Sequence, residues 1–267
     1  MSDIQIVLDE RIRNATAVLA ASNWPAIEQE IKPHAVHPHT KQTRQFVEGQ
    51  SNHPAVAFVN SGLAEGQAID ALLSALVLGE ERATLDAFAS QSELASLWEA
   101  HASVWDTAVS ECQQIFDNCP LPTMLAQMGG RTDAIRLMPT LTYPMLESVV
   151  IASAGETAVV LPPPKAWGES PPWPFKEDPI WVVVEAGKAI LTHGLQPVWT
   201  TQSAAEQRSL VQAGVALCLE KMFDDFERQA YIVRIKKEEN IQSLPQLTTQ
   251  IRDWLSGDRT NSIVTLL

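Results

Sequence analysis

Residues 184–188, Val-Glu-Ala-Gly-Lys, have the spacing of a helix-borne metal site without its ligands. Side chains four apart on an α-helix share a face, so positions 184 and 188 point toward a common site. Two imidazoles there could hold zinc, and a glutamate beside the first could polarise a bound water. Glu185 stands in that glutamate's place. Val184 has no lone pair to offer a metal, and Lys188 is a cation that would repel one. Glu185 and Lys188 are three apart with the acid N-terminal, so the two can neutralise each other. Lys188 would then be an internal cation where a metal could otherwise sit.

The densest histidine cluster is His34, His37 and His39, in KPHAVHPHTK. Three imidazoles within six residues could bind a transition metal. Pro33 and Pro38 predict a loop, and no acidic ligand lies close in sequence, so a compositional cluster is the simpler reading. His53-Pro54 reads as a helix start, and His101 as a packed or surface side chain. His193-Gly194 reads as a helix C-terminus, where the dipole favours a charged imidazole. No phosphate loop precedes Gly187-Lys188, Gly-x-Ser-x-Gly is absent, and no cysteine adjoins a histidine in sequence. The carboxylates Glu220, Asp224, Asp225 and Glu227 read as a solvated helix face. No cofactor is expected.

These residues must be placed by a chain of 267 residues, 45% of them apolar, enough for a large packed core. The net charge of −13 opposes a phosphate backbone or an anionic membrane surface. No run approaches the roughly 20 apolar residues of a membrane helix. The opening MSDIQIVLDERIRN lacks the pattern of a secretory signal. Cys112, Cys119 and Cys218 are too few and scattered for a disulfide framework, so a cytoplasmic setting is expected.

Hydrophobic spacing predicts a short strand at 4–8, a helix over 10–21, further helices to about 77, and one or two more over 81–117. Residues 134–143 and 149–161 are richer in β-branched types, with Ala154-Gly155-Glu156 as a turn, which predicts a small sheet. The segment 161–179 is dense in proline and reads as a stiff surface loop. Its alternative is a lip in which Trp167 and Trp173 flank a groove, or a polyproline segment offered to a partner. Long helices follow over 179–194 and 203–231, the second opened by Ser203 with Glu206 three residues on. A last helix covers about 244–255. The change of texture divides the chain into a mainly helical region, 1–130, and a region 131–267 with the sheet, the proline loop and two long helices, together expected to form one compact unit.

The motif and its surroundings resemble the zincin-like metallopeptidases, of gluzincin type, in which the motif helix reads His-Glu-x-x-His. Three runs carry the resemblance to a bacterial branch of that family: Val7-Leu8-Asp9-Glu10, His53-Pro54-Ala55-Val56 and Asp70-Ala71-Leu72-Leu73. It spans roughly residues 3–230. It implies an α+β fold, predominantly helical with a small β-sheet and a zincin-like core. It also implies a third ligand from the helix after the motif, at Glu206 or Glu220. Both motif histidines are absent, so zinc binding and peptide hydrolysis do not carry over.

The expected function is therefore non-catalytic: a pseudoenzyme that binds a protein or peptide through the old cleft or the tryptophan-bearing loop. Lys188, Trp167, Trp173, Glu206 and Glu220 are its candidate binding residues, and Glu185 is a vestigial catalytic one. The alternatives are an active hydrolase using Glu185 with ligands from elsewhere, such as the His34 cluster, and a structural or assembly protein.

Overall fold

The structure is a computed structural model that describes residues 4–31, 35–142, 147–164, 174–257 and 261–267. The elements are β1 (Gln5–Ile6), α1 (Glu10–Ala21), α2 (Trp24–Ile31), α3 (Pro38–Val47), α4 (Pro54–Ala64) and α5 (Ile69–Val77). Next come α6 (Arg82–Gln91), α7 (Leu94–Ala100), α8 (Ala102–Phe116), α9 (Leu121–Gln127), β2 (Ala134–Pro139), β3 (Val149–Ser153) and β4 (Glu156–Leu161). The chain closes with α10 (Pro179–Gly194), α11 (Ala204–Met222), α12 (Asp225–Glu238) and α13 (Leu244–Ser256). The fold is α+β, predominantly helical with a small mixed sheet. No helix among the described residues is long and apolar enough to cross a membrane.

Local chemistry sets many of the helix starts. Asp9 Oδ1 accepts the Ile12 N–H at 3.0 Å to open α1, and the His53 imidazole accepts the Ala55 N–H ahead of Pro54. Ser203 and Glu206 form a complete capping box at α11. Three sequence expectations differ from the fold. The segment around His37 is not wholly loop, because Pro38 fits the first turn of α3. The region 81–117 holds three helices, broken at Glu93, whose φ of 51° is left-handed, and at His101. The helix expected over 203–231 ends at Met222, because Asp224 takes the Glu227 N–H and starts α12.

The sheet runs in the order β1-β2-β4-β3. β1 pairs parallel to β2, and β3 with β4 forms a hairpin whose turn requires Gly155 at φ 79°. Arg136 on β2 bridges Asp9 at 3.2 Å and Glu156 at 2.8 Å, tying the start of α1 and β4 to the middle of the sheet.

Contacts group the chain into two units, each with its own core. One comprises Gln5–Gln114 and Arg136–Pro179. In it α1, lined by Ala15, Val18 and Leu19, is the central helix against α3, α4, α5 and α6. The other comprises Ile115–Ile135 and Ile180–Leu267 with Ile4. There α11 is buried continuously from Leu210 to Leu219 and packs against α12 and α13. The hairpin and most of β2 thus group with helices before residue 130.

Candidate functional site

Helix α10 carries the motif in the second unit. Pro179 occupies its first turn, and its apolar residues Val182, Val183, Ala186, Ile190 and Leu191 are buried. Two glycines bring α10 and α11 close. Gly187 lies beside Val215, and a Cβ on Gly214 would sit 2.8 Å from Leu191 Cδ1. Glu185 projects from the buried part of this helix with its side chain 9% exposed, and Lys188 is 30% exposed. Lys188 Nζ lies 2.7 Å from Glu185 Oε1, the pairing expected from their spacing. Val184 is buried.

Beyond this pair runs a hydrogen-bonded chain. The Tyr231 hydroxyl on α12 donates to Gln212 Oε1 on α11, and Gln212 Nε2 donates to Glu239 Oε1 at 2.6 Å. Burial pushes the Tyr231 phenol well above its ordinary range; Glu239, Glu185 and Glu238 add to the shift and Arg234 opposes it. Tyr231 is therefore a fixed donor. Sequence reading missed this chain, since a glutamine within an apolar helix carries no signal of its partner.

The two acids that the zincin-like pattern offered as a third ligand are engaged elsewhere on α11. Glu206 is half-buried and bound to Ser203, whose backbone N–H and hydroxyl hold its carboxylate below the usual range. Glu220 takes Arg252 at 2.5 Å and Arg228 at 3.6 Å. The α11 residue that enters the network near Glu185 is Gln212. Among the described residues no three His, Cys, Asp or Glu side chains are grouped to hold a metal ion.

His34, Trp167 and Trp173 lie outside the described residues. His37 caps α3, its Nδ1 accepting the His39 N–H at 3.2 Å. His39 is buried in an aromatic cluster, 4.9 Å from the His101 ring and 5.4 Å from the Trp105 ring between centroids. Its Nε2 accepts from Trp105 Nε1 at 3.1 Å, which places the proton on Nδ1, facing Gln42 Oε1 at 3.3 Å. Both ring nitrogens are thus taken. Burial lowers its pKa to about 4. The Arg13 guanidinium stacks beside the same cluster, 4.8 Å from the Trp98 ring centre. His193 also departs from expectation: burial and Arg131 lower its pKa, outweighing Asp133 and the pull expected of the helix end.

The first unit holds a cavity of about 320 Å³. Leu141, Phe175 and the prolines Pro163 and Pro174 wall it, with His37 and Glu111 as polar lining. Glu111 is buried and meets Lys176 Nζ at 3.5 Å. No family model, curated protein or solved structure matches the chain.

Proposed function

We propose that the chain is a zincin-like, metallopeptidase-derived protein that has lost catalysis and acts as a peptide- or protein-binding module. The carrying observation is the 2.7 Å contact between Lys188 and Glu185. At the two positions where a zincin-like helix presents metal ligands, this chain has a buried valine and an ammonium. The glutamate's charge is matched by that ammonium, so a second cation placed there would meet repulsion instead of ligands. The binding half of the reading rests on the cavity at Leu141 and Phe175, whose apolar walls and few polar groups suit one anchoring side chain of a peptide. A cytoplasmic setting fits the free thiols of Cys112, Cys119 and Cys218.

Two measurements test the proposal. Elemental analysis of the purified protein should find no stoichiometric zinc; zinc that is present and lost in Glu185→Gln would overturn it. Screening a peptide library should yield ligands whose binding is abolished by Leu141→Trp, which fills the cavity. Ligands indifferent to that substitution would remove the cavity from the reading.

A further inference from the structure

Among the described residues, helix α12 leaves one face without cover. Phe226, Ala230 and Val233 follow the i, i+4, i+7 spacing of a single stripe. Phe226 is 73% exposed and Val233 68%, while Tyr231 and Ile235 on the opposite face are buried. Phe223, just ahead of the helix, is also an exposed large apolar residue. A clustered apolar stripe of this kind marks an interaction surface.

The charges beside the stripe say what fits it. At about 100° per residue, Glu227 and Arg234 flank one side and Asp225 and Lys236 the other. Acids lie toward the start of the helix and bases toward its end. We infer that the chain self-associates through α12, as a two-fold dimer in which the helices run antiparallel. A two-fold axis near Ala230 and Tyr231 sets Glu227 opposite Arg234 of the second copy, and Asp225 opposite its Lys236. The symmetry repeats both pairings. Ala230 at the crossing lets the helices approach, and each Phe226 packs toward Val233 of the other copy. A parallel arrangement would place like charges face to face, so the charges select the antiparallel one. Asp225 already pairs with Arg228 in its own helix at 2.5 Å. Arg234 rests on the Tyr231 ring at 5.3 Å, which leaves its edge available to an acid. Glu227 with Arg234 is therefore the pairing that reports on the interface.

Light scattering on the full chain across a dilution series should give a mass approaching twice the 29.3 kDa of one chain as concentration rises. Phe226→Glu should return the monomer mass with an unchanged circular dichroism spectrum, since the side chain is largely exposed. Glu227→Arg alone and Arg234→Glu alone should each weaken dimerisation by about tenfold or more. The doubly reversed chain should recover it, because the pairing is restored with opposite sign. A monomer at every concentration would overturn the inference. So would a dimer insensitive to Phe226→Glu, or a double variant no tighter than either single one.

Discussion

Lys188 Nζ sits 2.7 Å from Glu185 Oε1 across one turn of α10, and the glutamate is the more deeply buried partner. Removing the cation leaves a carboxylate in a largely desolvated place. Lys188→Met should therefore destabilise the protein by roughly 1–3 kcal/mol, the range for breaking a partly buried pair. Replacing both residues, as Glu185→Met with Lys188→Met, should recover most of that loss. Chemical denaturation of the two variants checks this, and an unchanged midpoint for Lys188→Met would count against the pair.

Tyr231→Phe deletes one hydroxyl and strands the Gln212 carbonyl oxygen in the core between α11 and α12. An unsatisfied buried acceptor costs about 1–3 kcal/mol. The melting temperature should drop accordingly, with no change in helix content by circular dichroism.

The imidazole of His39 stays neutral in the fold down to about pH 4, against an ordinary value of 6.5. Between those values the unfolded chain binds a proton that the folded chain refuses. Stability from this group is complete above about pH 6.5 and falls as the pH drops toward 4, by up to about 3 kcal/mol. Burial shifts His37, His53 and His193 the same way, so the group must be isolated by substitution. Urea midpoints through this window should slope less steeply in His39→Leu than in the parent, and equal slopes would disprove the assignment.

Two glycines of the second unit should respond oppositely to alanine. At Gly187 a Cβ would touch Val215 at 3.4 Å and Leu121 at 3.8 Å, close to ordinary contact, inside a helix that alanine favours. Gly187→Ala should be neutral or stabilise by up to about 1 kcal/mol. At Gly130 a Cβ would sit 2.8 Å from the Gly194 carbonyl oxygen, a backbone atom that cannot swing aside. Gly130→Ala should cost about 1–3 kcal/mol. Paired thermal melts decide it.

Helix α10 was legible to the residue, because Pro179 and His193-Gly194 bracket an apolar run too long for a strand. The hairpin was legible from its β-branched residues and Gly155. The break between α11 and α12 was not. Apolar spacing runs across Phe223 without interruption, and the helix stops because Asp224 takes over the Glu227 N–H. Nor does sequence announce the break at Glu93, since an isolated glutamate seldom adopts a left-handed backbone. At the candidate site, spacing alone foretold that Glu185 would meet Lys188. Glu111 and Gln212 could not be found in that way, because their partners lie on other segments: Lys176 beyond β4, Tyr231 and Glu239 on and after α12.

The interleaving of the two units decides how the chain can be dissected. One unit owns residues on both sides of the stretch 115–135, and the other owns that stretch together with everything from residue 180 onward. A single cut therefore frees neither. Cleaving at residue 130 would strip the first unit of its hairpin and the second of its partner segment at once. To study the first unit alone, residue 114 must be joined to residue 136 by a linker. During synthesis, neither core has all its strands and helices until most of the polypeptide has been made.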